Sequence, residues 1–298
     1  MATVYKEFGL DYVMKEGDLG VEIEVEGKRL PFCESYWRNE EDGSLKGEES
    51  REYVLLEPMS LKGVRNALDY LDTCYKATKA VVDDTVRAGV HVHVNCQRLT
   101  LTELYNFMTI YLVLENVMVK WCGDYREGNL FCLRASDAEW VLSEIKKSTT
   151  DGRRDLRRRF HRDELRYASM NLKALGDYGS IEFRAMRGTR DLDLIYTWAE
   201  SLLGLREYAK KFNSPSSVIE AFSIHGAVGF MKLALGSNCE KFICKDVEKL
   251  LFQGMRNAQD VAYCCDWLQF DPPVRSIGGC EFPVTMKSEE INEPLEDF

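Results

Sequence analysis

Three short segments of this chain alternate strictly between aliphatic or aromatic and ionisable or polar side chains. They are Val21-Glu22-Ile23-Glu24-Val25-Glu26, Val90-His91-Val92-His93-Val94-Asn95 and Ile181-Glu182-Phe183-Arg184. Successive side chains of an extended backbone point to opposite faces, so each segment reads as a strand with one apolar and one ionisable face. A fourth strand, Glu52-Tyr53-Val54-Leu55-Leu56, is stopped by Pro58 after an Asp42-Gly43 turn. If these strands share a sheet whose apolar face is covered by helices, then Glu22, Glu24, Glu52, His91, His93, Glu182 and Arg184 meet on the other face.

Helical segments lie between the strands. From Gly63 to about Lys79, Val64, Ala67, Leu68, Leu71 and Tyr75 recur at spacings of three and four. Thr100-Leu101-Thr102-Glu103 is a capping box that opens a helix to about Trp121, and Ser136-Asp137-Ala138-Glu139 opens another to about Lys147. Asp191 to about Phe212 is helical, Asn213-Ser214-Pro215 marks a break, and shorter helices follow, ending in an acidic tail from Glu289 to Phe298. The pattern predicts an α+β fold: a largely antiparallel sheet, helices packed on one face, and an open, acidic, concave opposite face. The expected division is a catalytic domain over 1–212 and a C-terminal helical extension over 213–298.

Two glutamates two positions apart on a strand lie about 7 Å apart, and at an effective dielectric near 20 they repel by roughly 2 kcal/mol. A cluster of several either takes up protons or binds cations. Carboxylates with one or two imidazoles suit Mg2+ or Mn2+. The chain has only 4 histidines, and two of them stand one residue apart on a strand whose other face is all valine, which favours a ligand role. Glu26, beside Lys28 and Arg29, reads instead as a solvated strand end, and the segment from Arg153 to Arg162 as an exposed basic stretch or a substrate flap. The net charge of −10 argues against generic nucleic-acid binding. The sequence shows neither a signal peptide nor eighteen consecutive apolar residues, so no membrane is expected, the expected compartment is the cytoplasm, and the 10 cysteines are expected to be free thiols. Oligomeric state is left open.

Taken in order, Glu22-Ile23-Glu24, Trp37 with Asp42-Gly43-Ser44-Leu45, Glu52 with Pro58, Gly89-Val90-His91-Val92-His93, Arg166-Tyr167 with Asn171, and Ile181-Glu182-Phe183-Arg184 resemble the amidoligases. These are relatives of glutamine synthetase in the carboxylate-amine ligase superfamily, many of them encoded by phages, in which case the compartment would be the host cytoplasm. The resemblance spans roughly residues 17 to 210 and implies a glutamine synthetase-like catalytic core using ATP and two or three Mg2+ or Mn2+ ions. It implies metal ligation by Glu22, Glu24, Glu52, His91 and Glu182, with Glu57 a weaker candidate, and a place near the nucleotide for His93. Arg184 resembles the arginine that contacts the transferring phosphoryl group. Arg166 and Asn171 match positions near phosphate or acyl substrate, and Arg187 is a further candidate beside the nucleotide. Asp42 and Ser44 match the family's turn, which both residue types favour for backbone reasons.

The chemistry agrees with the residue types. Making an amide from a carboxylate needs a better leaving group than oxide, and an ATP-derived acyl phosphate supplies one. Phosphoryl transfer asks for cations and positioned arginines rather than a protein nucleophile. The expected activity is therefore ATP-dependent joining of a carboxylic acid to an amine. The alternatives are a metal-dependent hydrolase, which the absence of a His-Glu-x-x-His helix disfavours, and an inert nucleotide-binding or structural protein.

Overall fold

The computed structural model describes residues 3–150 and 155–270. In chain order the elements are α1 (Val4–Glu7), β1 (Leu19–Lys28), β2 (Trp37–Glu40), β3 (Glu49–Leu55), α2 (Leu61–Thr78), β4 (Val81–Val82), β5 (Gly89–Asn95), α3 (Leu101–Cys122), α4 (Glu139–Thr150), α5 (Leu156–Phe160), β6 (Met170–Asn171), α6 (Lys173–Tyr178), β7 (Ser180–Arg187), α7 (Leu192–Ala209), α8 (Pro215–Leu235), α9 (Cys239–Phe242), α10 (Val247–Ala262) and α11 (Trp267–Phe270). The acidic tail, Arg153 and Arg154 lie outside the described residues. Seven strands form one open sheet in the order β2-β3-β1-β5-β7-β6, with β4 paired to β1, and every pairing is antiparallel. The protein is thus α+β.

The alternation works as the strands require. Val21, Ile23 and Val25 of β1, Val90, Val92 and Val94 of β5, and Ile181 and Phe183 of β7 are all buried in the core. Helices α2, α3 and α7 pack on that side. Helix α3 opens with the capping box of Thr100 and Glu103 and is buried almost all round. A helix apolar on every side belongs between two layers, and α3 lies between the sheet and a second layer made by α8 and α10. Helix α7 ends at Ala209 and Ser214 caps α8, so the expected break at 213–215 is a helix boundary. Helices α8 and α10 share one continuous core with α3. By length and composition the stretch Pro215–Phe242 is apolar enough to cross a bilayer, but half of its most apolar window is buried inside the fold. The cysteines among the described residues are free thiols.

One core carboxyl gives the fold a pH signature. Glu115 of α3 accepts hydrogen bonds from the Ser169 hydroxyl and from the Ala135 amide at 2.9 Å. Burial pushes its carboxyl up to about 7, against the partial relief of those two bonds. A carboxyl with a raised folded-state pKa contributes fully at acid pH, and that contribution fades as pH climbs from the unfolded value near 4.3 through about 7. Glu115→Gln should therefore gain stability relative to the unsubstituted protein between pH 5 and pH 8, by up to about 3 kcal/mol. Urea unfolding at the two pH values checks this, and an equal effect at both would contradict it.

Candidate active site

Register brings the ionisable residues together. Glu22 of β1 is the Cα partner of His91 on β5, and His93 is the partner of Glu182 on β7. Glu22 Oε2 lies 3.2 Å from His91 Nδ1, and Glu182 Oε1 lies 3.5 Å from that same nitrogen. One ligand atom each from Glu22, His91 and Glu182 falls within 4.8 Å of the others. His93 Nε2 stands 3.3 Å from Glu22 Oε1, and its Nδ1 is 3.2 Å from Ser180 Oγ. Glu24 reaches His91 Nε2 at 3.7 Å from the other side and accepts the Gly89 amide at 2.9 Å. Gly89 packs closely under the cluster: a methyl placed there would sit 3.3 Å from His91 Nε2, 3.4 Å from Arg126 Nη2 and 3.5 Å from Glu24 Oε2. Glu52 of β3 is the direct cross-strand partner of Glu24 and of Glu40 on β2.

Charge is unevenly shared across this face. Burial pushes the Glu52 carboxyl up to about 8, helped by Glu22, Glu24, Asp42 and Glu40. Burial also raises Glu24, against the pull of His91, Arg184 and the Gly89 amide. Glu22 goes the other way: burial is outweighed by hydrogen bonds with His91 and His93, which hold it well below the usual carboxylate range. At Glu182 burial is outweighed by Arg184, His93 and His91, so it too lies low. His93 is raised, because Glu22 and Glu182 overcome the effect of its burial. Two oxygens and one imidazole nitrogen converging at this separation, with further carboxylates beside them, form a donor set that fits Mg2+ or Mn2+.

Arg184 extends from β7 into the same cluster. Its Nη1 donates to Glu182 Oε1 and lies 3.4 Å from His91 Nδ1, while its Nε donates to the Phe131 carbonyl at 3.3 Å. Asn171 of β6, opposite Glu182 in register, donates through Nδ2 to Glu182 Oε2. Of the remaining candidates, Glu57 lines a cavity together with Glu22 and His93, and Arg166 and Arg187 engage other groups. Arg166 lies exposed in a 3-10 turn, its guanidinium 5.4 Å from the centre of the Tyr167 ring. Arg187 donates to the Cys122 carbonyl at 2.9 Å, closing the end of α3.

Glu26 corrects the reading made from sequence. It is buried, at 4% exposure, because the chain after the Asp42-Gly43-Ser44 turn folds over it and donates the Lys46 and Gly47 amides to its carboxylate. Asp42 makes the turn itself, accepting from the Ser44 amide and hydroxyl. In the basic stretch, Arg159 and Arg162 converge on the buried Glu144, and Arg157 ties α6 and Gly9 in place through carbonyl bonds. These arginines act as ties within the fold.

Beside Glu22 and His93 opens a cavity of about 480 Å³. Its walls include Tyr12, Tyr178, Val54 and Leu56, with Lys15 and Arg38 as cationic groups. Sequence reasoning missed Tyr12, Arg38, Tyr178 and the buried Arg126. Arg38 was detectable in principle, since it precedes Asn39-Glu40 in a four-residue strand, but so short a strand carries too little periodicity to orient it.

An open antiparallel sheet with acids, imidazoles and an arginine gathered on the face opposite α2, α3 and α7 defines the class: an α+β protein with a candidate divalent-cation site. Within that class, residues 56–205, about half of the chain, match the family described as "Putative amidoligase enzyme", and the chain belongs to that family. No curated protein sequence matches it.

Proposed function

We propose that this protein is an ATP-dependent ligase that joins a carboxylic acid to an amine through an acyl phosphate. The single observation that carries the reading is the convergence of Glu22, His91 and Glu182, from three different strands, in a member of the amidoligase family. Glu22, His91 and Glu182 would hold one divalent ion, and Glu24 and its cross-strand partner Glu52 would hold another. When bound, such ions supply the positive charge that allows phosphate oxygens to approach these carboxylates.

The rest of the work falls to the chain. The cavity beside Glu22 and His93 is large enough for a nucleoside, offering aromatic and aliphatic walls to the base, with Lys15 and Arg38 as charge partners at its edge. Phosphates would then extend toward the acidic face, where Arg184 is already held by Glu182 and Phe131. A substrate carboxylate oxygen attacks the γ-phosphorus, the bond to the β,γ-bridging oxygen breaks, and ADP departs. Arg184, always charged and rigid, disperses the charge on the phosphoryl oxygens. The amine nitrogen then attacks the acyl carbon, phosphate leaves, and the amine gives up a proton. The acid and the amine are the proposed partners of the protein.

Hydroxylamine tests this without knowledge of the natural amine, because it traps acyl phosphates as hydroxamates. With ATP, Mn2+ and a panel of amino acids and peptides as carboxylate donors, at least one acid should give hydroxamate together with an equal amount of ADP. Nucleotide-independent cleavage of an amide or phosphoester, with no hydroxamate from any acid, would favour a hydrolase instead.

A further inference from the structure

The pairing of β5 with β7 is not regular. Val90 pairs with Met186 and Val92 with Phe183, so two residues, Arg184 and Ala185, stand opposite the single residue His91. Such a bulge leaves carbonyls out of the ladder and re-aims the side chain at the break. Buried carbonyls without partners are costly, and here both are taken by one side chain. Arg126, at 1% exposure, donates Nη2 to the Arg184 carbonyl at 2.7 Å and Nε to the Ala185 carbonyl at 2.9 Å. On its other side, the Arg184 amide donates to the Ser169 carbonyl at 2.9 Å. The two peptide groups flanking the Arg184 Cα are thus both held, and the guanidinium of Arg184 is delivered to Glu182 and His91.

We propose that Arg126 is a positioning residue: by gripping the two bulge carbonyls with its planar fork, it sets the direction in which Arg184 enters the acidic face. Lysine offers a point charge on a flexible stem and cannot reproduce two parallel bonds in fixed geometry. Arg126 therefore acts through Arg184, and the loss it causes overlaps the loss caused at Arg184 itself.

Two readouts test this, and only the second rests on the ligase reading. With 15N-histidine label, the protein's 4 histidines give a countable spectrum, and His91 reports directly on Arg184. At fixed pH, Arg126→Lys should move the His91 imidazole resonances as Arg184→Lys does, the double variant should move them no further, and His225 should stay in place. In the hydroxamate assay, Arg126→Lys should lower kcat by about 30-fold or more with the ATP KM within about 3-fold, and the double variant should match Arg184→Lys alone. His91 resonances unchanged in Arg126→Lys, or losses that multiply in the double variant, would overturn the proposal. Arg126→Gln, which keeps a single donor nitrogen in place of the fork, provides a second variant; unfolding of both would make Arg126 a purely structural residue and end the idea. Absence of turnover in the unsubstituted protein counts against the ligase reading, while the resonance cycle still decides the role of Arg126.

Discussion

Glu182→Gln should lower hydroxamate formation by about 10³-fold and weaken Mn2+ binding by more than the roughly 10–100-fold typical of an outer-shell partner. Glu182 sits where four groups meet: its oxygens take Arg184 Nη1 and Asn171 Nδ2 and lie 3.5 Å from His91 and 4.0 Å from His93. Removing its charge takes a ligand from the candidate ion site and leaves the partly buried Arg184 without the carboxylate it pairs with, although Glu24 and Glu22 still act on it. Breaking a fully buried pair costs about 3–5 kcal/mol, and this partly buried one should cost less, so the melting temperature should fall as well. The two effects separate in an Mn2+ titration at a temperature where the variant is folded. Full turnover in folded Glu182→Gln would remove this residue from the mechanism. Glu52→Gln should behave differently, losing activity while gaining stability in the metal-free state, because it relieves a carboxyl whose charged form burial disfavours most and Glu22 and Glu24 disfavour further.

Gly254→Ala should be the most damaging single-methyl change in the helical layers. Gly254 lets α10 lie against α3 so closely that an added Cβ would stand 2.3 Å from the Val113 carbonyl oxygen and 2.5 Å from that of Leu112. Both obstacles are backbone in the central helix and cannot rotate away, so α10 must move outward along a buried interface. Overpacking of this kind costs about 1–3 kcal/mol or somewhat more, equivalent to a drop of roughly 3–10 °C in a domain of this size. Gly204 of α7 is the control. A Cβ there meets only the Ala234 carbonyl oxygen, at 3.8 Å, so Gly204→Ala should gain the helix preference of alanine, up to about 1 kcal/mol. Equal melting temperatures for the two variants would show that α10 does not depend on close contact with α3.

The main features of the site were legible because they rest on a period of two. An aliphatic residue at every other position of β1 and β5, Val21, Ile23 and Val25 on the one and Val90, Val92 and Val94 on the other, tells which way Glu22, His91 and His93 point, and a sheet containing both strands leaves them little choice but to meet. Helices α2, α3 and α7 were legible for a similar reason, from the three-and-four apolar spacing after Gly63, the capping box at Thr100 and the helical run that opens at Asp191, whereas the Ser60 cap of α2 came only with the structure. What was hidden depends on contacts between distant segments. Nothing local to Glu26 announces that residues 46 and 47 will cover it. The bulge left a trace, because unbroken alternation after Glu182 would place Met186 on the acidic face, whereas Met186 is buried in the core. Arg126 left none: it lies in a 3-10 turn without periodicity, and its role comes only from the carbonyls it meets 58 and 59 residues later. Arg166 shows the reverse case, a residue in the family's order whose turn leaves it exposed over Tyr167.

The central claim is that Glu22, His91 and Glu182 form one divalent-cation site on the sheet face opposite the helices α2, α3 and α7. Anomalous diffraction at the manganese edge, from crystals soaked with Mn2+ and a non-hydrolysable ATP analogue, addresses it directly. The account predicts a peak bounded by Glu22, His91 and Glu182, with the analogue's phosphates against it and its nucleoside in the cavity beside Tyr12 and Tyr178. Manganese bound elsewhere, with these three side chains engaged only with one another and Arg184, would contradict it.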